Sequence, residues 1–339
     1  VTPPADRPAR AAPRRAGATA GIPADREGLR RAVLAWFAVH GRSLAFRSGP
    51  PDPWSVLVAE VMAQQTQVAR VEERLPAFLG AFPTPGAMAA ASPADVIRAW
   101  RGLGYNRRAV ALHQAAVAIA ARGGDLPSEP EALQALPGVG PYTARAVAAV
   151  AFGRPVGAVD VNVRRVVGRF LTTDPAGPPA AALQAAADAL VDPLQPGAWT
   201  HALMDLGATV CRPAGPACPA CPARPWCATG RAVGPAPAET RAAARAANLG
   251  GSAATPARSP RPGAAARFEA TSRWLRGRIV DRLRDAPAGR AVTFDGSLGS
   301  HSRAAVLAAL VALARDGIVE HDGAGRARLV GPVADGPGR

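Results

Sequence analysis

The feature that most limits the fold is a succession of short amphipathic segments joined by still shorter links. Apolar residues recur at helical spacing near residues 28–39, 54–67, 71–81, 94–101, 107–121, 130–135, 142–151, 161–169, 180–190 and 199–209. The links carry Gly and Pro, as in PDP at 51–53 and FPTPG at 82–86. Strand-like alternation is scarce before the C-terminal region, and abundant alanine favours helix. The expectation is a mainly α fold of many short helices crossing at large angles, not a bundle of long parallel ones. A chain of 339 residues is long enough for two or three domains.

Composition marks the boundaries. Residues 1–26 are rich in Pro, Ala and Arg and read as a disordered basic tail. The main folded stretch spans 27–230. Residues 231–266, mostly Ala, Pro, Gly and Arg, read as a linker. Pattern returns over 267–332, where SRWLRGRIVDRLRDA and SRAAVLAALVALARDG read as helices, the second closed by Gly317. IVEHDGAGRARLV then reads as a hairpin. Two helices and a wing-like hairpin suggest a small winged-helix-like module. Residues 333–339 read as a disordered tail.

The formal net charge is +15, from 40 basic against 25 acidic residues, and every basic residue is arginine. A surplus of this size favours a polyanionic partner, with nucleic acid foremost, although a high-GC genome also raises Arg, Ala, Gly and Pro together. No apolar run is long enough to span a membrane, and the N-terminal arginines lack the apolar core of a signal peptide. A cytoplasmic, nucleoid-associated bacterial protein acting as a monomer is expected.

All four cysteines fall in one block, as Cys211–x6–Cys218–x2–Cys221–x5–Cys227. Four thiols this close suggest one metal centre in a reducing compartment. Zinc and an iron–sulfur cluster both accept four cysteines, and chemistry alone does not choose between them.

Leu136-Pro137-Gly138-Val139-Gly140 precedes a helix starting near Pro141. Gly138 and Gly140 permit a tight turn and close approach to a ligand, and the N–H groups of such a turn suit a phosphate. A plain corner between two helices fits the same residues. Asp160 stands just before a helix with Asn162 in its first turn, where an Asp is also a common N-cap. Glu60 lies in an amphipathic helix among Ala59, Val61 and Met62. That setting fits either a solvent-face carboxylate or a partly buried one whose pKa is raised.

In order and combination these motifs resemble the endonuclease-III-like helix-hairpin-helix superfamily, and within it the MutY family of adenine glycosylases. The resemblance covers about residues 30–230. Its sharpest part is WSVLVAEVMAQQTQV at 54–68, which resembles the family's catalytic helix and assigns the catalytic acid to Glu60. The aspartate after the hairpin, beside an Asn-Val-x-Arg-Val run, is Asp160, although Val161 stands where the family has Gly. Gln65 and Thr66 match residues that contact the lesion-bearing strand. RGLGYNRRA at 101–109 resembles a loop whose Leu103 and Tyr105 probe and wedge beside 8-oxoguanine, with Asn106 replacing the family's second tyrosine. Arg47, Gly138 and Gly140 complete the implied DNA contacts. The cysteine spacing resembles the superfamily's structural 4Fe–4S cluster loop, here 211–227, which would present Arg212, Arg224 and Arg231 to DNA. Superfamily lyases carry a lysine where this chain has Tyr142, and a tyrosine forms no Schiff base.

The resemblance implies a helix-hairpin-helix DNA glycosylase fold with an iron–sulfur cluster loop. The implied activity is monofunctional removal of adenine mispaired with 8-oxoguanine or guanine in double-stranded DNA, as part of base excision repair. Glu60 and Asp160 would do the chemistry, with Tyr142 and Asn162 orienting them. The stretch after the linker looks too short for the family's MutT-like C-terminal domain, and no lesion-reading role passes to His301 and Ser302. A thymine or uracil mismatch glycosylase of the same superfamily and a non-catalytic DNA-binding protein are the alternatives. Gln64-Gln65-Thr66-Gln67 argues against the first, and the presence of both carboxylates against the second.

Overall fold

Helix starts are written into this sequence as short polar side chains, several of them followed by proline. A computed structural model of the chain describes residues 21–233 and 268–331. The linker at 231–266 and the tails at 1–26 and 333–339 fall largely or wholly outside them. Those residues form two compact units, treated separately below.

The larger unit holds residues 42–158, 194–197 and 268–331. Its helices are α2 Pro53–Ala63, α3 Val68–Ala81, α4 Pro85–Ala90, α5 Pro93–Ala99, α6 Arg107–Ala120, α7 Pro130–Gln134 and α8 Pro141–Phe152. Asp52, Thr84 and Ser92 each accept a backbone N–H from the first turn of the helix that follows. Proline occupies the first turn in α2, α4, α5, α7 and α8, where its missing N–H costs nothing. Helix α4 departs from the expected loop at 82–86: Thr84-Pro85 is a cap followed by a first-turn proline, hence a helix start. The core of this part gathers Leu57, Met62, Phe78, Trp100, Leu112 and Val147, all at most 2% exposed. The indole N–H of Trp100 donates to the carbonyl of Gly104 at 3.1 Å, which fixes the floor of the loop before α6.

The same unit contains α13 Ser272–Asp285, α14 Arg303–Arg315 and three strands, β1 Val292–Thr293, β2 Val319–His321 and β3 Arg326–Leu329. The antiparallel sheet runs β1-β3-β2. Strand β1, not anticipated from the sequence, pairs Val292 with Ala327 and Thr293 with Arg326. Asp322 accepts from the N–H groups of Ala324, Gly325 and Arg326 and so closes the β2–β3 turn. Thr271 caps α13 and Ser302 caps α14. Leu275, Ile279, Val280 and Leu283 of α13 share one buried cluster with Ala94 and Ile97 of α5, so the module's first helix packs on the helical layer.

The smaller unit holds residues 21–41, 159–193 and 198–233. It contains α1 Arg26–His40, α9 Val161–Leu171, α10 Ala180–Leu190, most of α11 Pro196–Thr209, and α12 Ala228–Ala232. Between α11 and α12 the loop 211–227 makes two short 3-10 turns, Cys218–Ala220 and Arg224–Trp226. The expectation of an iron–sulfur cluster loop is corrected at this point. Among the described residues, no group of three or more His, Cys, Asp or Glu is disposed to hold a metal ion.

Close packing and open space at two glycines give opposite expectations. A Cβ on Gly207 of α11 would stand 2.7 Å from the Cβ of Asn162 on α9. A Cβ on Gly80 of α3 meets nothing within 4 Å. Gly207→Ala is expected to destabilise the protein by roughly 1–3 kcal/mol through overpacking. Gly80→Ala should be neutral or stabilising by up to about 1 kcal/mol. Urea unfolding of both variants checks the pair; equal effects would contradict the helix–helix spacing described.

Candidate functional site

Asp160 is the N-cap of α9. One carboxylate oxygen accepts from the N–H of Val163 at 2.7 Å and the other from the side-chain amide of Asn162 at 3.0 Å. Asn162 in turn accepts from Arg165 at 2.8 Å. Arg165 also donates to the carbonyls of Gly207 and Cys211, both at 2.7 Å. The orientation of the carboxylate is thus set by a chain of bonds ending on two backbone carbonyls. The close approach of Gly207 to Asn162 leaves that chain little freedom. Asp160 and Asn162 are half-buried, whereas Val161 between them is 74% exposed.

The cysteine loop hangs from the same helix. Arg169 donates to the sulfur of Cys211 at 3.2 Å, to Arg212 O at 2.9 Å and to Pro213 O at 3.1 Å. The Cys227 thiol donates to Arg169 O at 3.1 Å, and its sulfur caps Gly230 at the start of α12. Burial pushes the Cys221 thiol up to about 12 and raises Cys227 as well, which favours neutral thiols. Cys211, Cys218, Cys221 and Cys227 do line one cavity, but it measures about 20 Å³, the space of about one water molecule. The residues so placed do not fit a 4Fe–4S cluster, and the iron–sulfur and metal-binding expectations for these cysteines are withdrawn. Two of the arginines expected to face DNA bond within the loop region: Arg212 to Gly215 O, and Arg224 to Gly230 O and Val233 O.

In the other unit, Glu60 is half-buried on the last turn of α2. Gln64, the C-cap, donates to Thr143 on α8 at 3.2 Å. Tyr142, half-buried, occupies the first turn of α8. The hairpin before it closes through Val139 N–H to Leu136 O at 3.1 Å. Gly138 has φ +76°, and a Cβ there would stand 2.6 Å from that of Ala111, so two independent constraints demand glycine. Gly140 is the N-cap of α8, with no side chain to cover the first amides. Arg47 lies in the 3-10 turn Ala45–Arg47 and is half-buried.

Sequence reasoning passed over Arg108, which organises this part of the unit. It donates to the carbonyls of Val61 at 2.9 Å, Met62 at 2.8 Å, Leu103 at 2.9 Å and Gly104 at 3.2 Å, to Gln64 O, and to the hydroxyl of Thr66 at 3.0 Å. Burial lowers its guanidinium to about 10, so it stays charged at neutral pH. Thr66 is thereby fixed from the side. Gln65 and Tyr105 are the non-glycine residues with positive φ among those described, at +55° and +45°. Both are exposed, and both face a cleft of about 850 Å³. Leu103, by contrast, is buried at 5% exposure, and its backbone carbonyl accepts from Arg108.

Residues 58–193 match the model of the HhH-GPD superfamily of base excision DNA repair proteins. The chain is 40% identical over 258 residues to an adenine DNA glycosylase of Mycobacterium tuberculosis, covering 75% of this chain and 78% of that protein. It is 38% identical over 306 residues to one of Mycolicibacterium smegmatis, covering 88% and 95%. The adenine DNA glycosylase of Homo sapiens is 40% identical over 196 residues, 54% of this chain and 36% of that protein. Among solved structures, a thermostable thymine-DNA glycosylase superposes with TM-score 0.57 at 26% identity, over 61% of this chain and 97% of that one. A non-covalent endonuclease III–DNA complex gives 0.51 at 23% identity, over the same shares, and supports the fold alone.

Removing the Arg108 guanidinium takes a donor from five carbonyls and a hydroxyl. Arg108→Ala is expected to lower stability by roughly 3 kcal/mol. Arg108→Lys should recover about 1 kcal/mol, because an ammonium keeps the charge without the fork. Thermal unfolding of the two variants measures this, and an alanine variant as stable as the parent would rule out the bracing role.

Proposed function

The chain belongs to the adenine DNA glycosylase family, within the HhH-GPD superfamily, and on that premise we propose how its residues release the base. It is a DNA N-glycosylase acting on adenine. No helix among the described residues is long and apolar enough to cross a membrane.

Adenine stacked in a duplex is out of reach, so its nucleotide is extruded before reaction. Glu60, on the last turn of α2, protonates the base at N7. The N-glycosidic electron pair leaves with the base, and positive charge develops on the deoxyribose. The Asp160 carboxylate stabilises that charge. Water adds at the anomeric carbon, its proton returns to Glu60, and the products are free adenine and an abasic site. This is the division of labour of two-carboxylate glycoside hydrolysis. Asn162 holds Asp160 in register from within the same helix turn, and Tyr142 orients the reacting groups from the start of α8. The duplex partner in this reading carries adenine opposite 8-oxoguanine or guanine. Support comes from Gln65 and Tyr105, which line one cleft, and from Thr66, whose hydroxyl Arg108 fixes next to Gln65. The arrangement of the chain into a glycosylase region over 27–230 and a C-terminal module over 267–332, acting as a monomer in a bacterial cytoplasm, belongs to the same reading.

The observation that carries the mechanism is the Asp160 carboxylate, held at both oxygens with no cationic side chain among the described residues bonded to it. Such a carboxylate keeps its negative charge available for a neighbouring cation. The chain also contains no lysine, so no side-chain amine exists to form an imine with the opened sugar and break the strand.

Single-turnover base release from duplexes bearing A opposite 8-oxoguanine, A opposite G, T opposite G and U opposite G tests the reading. Adenine is expected as the product, with strand breakage only after alkali. Glu60→Gln should slow release at least about 100-fold. Asp160→Asn should slow it to a similar degree while folding normally, because asparagine caps a helix as well as aspartate does. Full activity in both variants, release of a pyrimidine, or breakage before alkali would each sink the mechanism.

A further inference from the structure

The C-terminal module closes one side of the cleft that Gln65 and Tyr105 face. Helix α13 turns Leu275, Ile279 and Leu283 into the buried cluster, and the neighbouring face, with Arg273, Arg276 and Gly277, lines the cleft. The guanidinium of Arg273 lies 4.4 Å from the centre of the Tyr105 ring, within cation–π range, and Arg108 lies 5.6 Å from the same ring. Tyr105 is nonetheless 40% exposed. An aromatic side chain on a strained backbone, held by two cations and left open to solvent, is arranged to meet something.

The module is fastened to this loop and not merely adjacent to it. Arg284, 7% exposed, donates to Asn106 at 2.8 Å, to the carbonyl of Ile97 at 2.9 Å and to Asp281 at 3.1 Å. Asp316 pairs with Arg276 and Arg107. Asn106, the position that departs from the family's second tyrosine, thus receives the module's buried arginine immediately after Tyr105. Gly277 adds an independent observation. A glycine inside a helix costs about 1 kcal/mol relative to alanine, yet a Cβ here meets nothing within 4 Å. Packing does not require it. What it preserves is room in the cleft.

Resting on the adenine glycosylase reading above, we propose that α13 is a working wall of this cleft. Arg273 acts as a positioning residue for Tyr105, and Gly277 leaves space for a deoxynucleoside of the mispaired duplex. The cation and the ring together suit a nucleobase, whose face stacks on an aromatic. The half-open cleft of about 850 Å³ falls within the ordinary range for a small-molecule site.

The test measures binding of the full chain to a duplex with A opposite 8-oxoguanine and to the same duplex with A opposite T, alongside adenine release. Arg273→Ala is expected to weaken binding to the mispaired duplex about tenfold, in line with one cation–π contact, and to the paired duplex less than twofold. The kinetic loss falls mainly on the half-saturating duplex concentration, and Arg273→Lys restores most of it. Combining Arg273→Ala with Tyr105→Ala should add little to Tyr105→Ala alone. Gly277→Leu fills the cleft while improving helix propensity, and is expected to weaken mispair binding without lowering the melting temperature. Equal weakening on both duplexes would show that Arg273 serves only as a phosphate-facing charge, and additive effects with Tyr105→Ala would sever it from the ring. Either result overturns the proposal, as does wild-type mispair binding by Gly277→Leu. If the unaltered chain releases no adenine at all, the failure lies in the underlying reading instead.

Discussion

One guanidinium holds together the residues that would meet the DNA. Arg108 enters the end of α2 from the first turn of α6 and collects carbonyls that the helix terminus leaves without partners. From the same position it reaches Thr66 and the two carbonyls before Tyr105. The backbone at Gln65 and Tyr105 is in the left-handed region, which costs on the order of 1–3 kcal/mol at each residue and persists only where surroundings over-determine it. Arg108 supplies that over-determination for both. The two strained residues therefore form a single structural problem with a single solution, and Glu60, one turn before the same helix end, inherits its position from it.

Asp160 is fixed by a different device. Its carboxylate is a helix cap and an acceptor from Asn162, and Asn162 is locked by Arg165 against the backbone at Gly207 and Cys211. The cysteine loop then acts as an anchor for α9, through Arg165 and Arg169. Its sulfurs serve as hydrogen-bond partners and as a helix cap, and its backbone carbonyls receive Arg165 and Arg169 of α9.

The helices were legible because period and capping coincide: Asp52-Pro53 and Ser92-Pro93 announce their starts, and Ser302 caps α14. Asp160 was legible as a cap for the same reason, and it caps α9. Arg108 was not, because its distant partners are mostly backbone carbonyls 44–47 positions away, and any residue type supplies a carbonyl. Strand β1, at two residues, is too short for alternation to register. Asn106 stood out as a departure, but its reason is an arginine 178 positions later. The cysteine spacing announced that four sulfurs would be neighbours. It carried no information on whether they would surround enough space for a cluster.

The absence of lysine links composition to this architecture. Arg108, Arg165, Arg169 and Arg284 each serve several acceptors at once, which five planar donors allow and three donors on an ammonium do not. Burial also leaves a guanidinium charged, as at Arg108, where it would tend to neutralise a lysine. A chain restricted to arginine is thus well supplied with multi-carbonyl braces, and both halves of its proposed chemistry rest on them. The same fact changes how the charge of +15 bears on DNA. Cations committed to carbonyls inside the protein release no counterions on binding, so the salt dependence of DNA affinity is set by the exposed arginines alone. The net charge therefore overstates the electrostatic contact, and the buried arginines serve instead to place residues such as Gln65 and Tyr105.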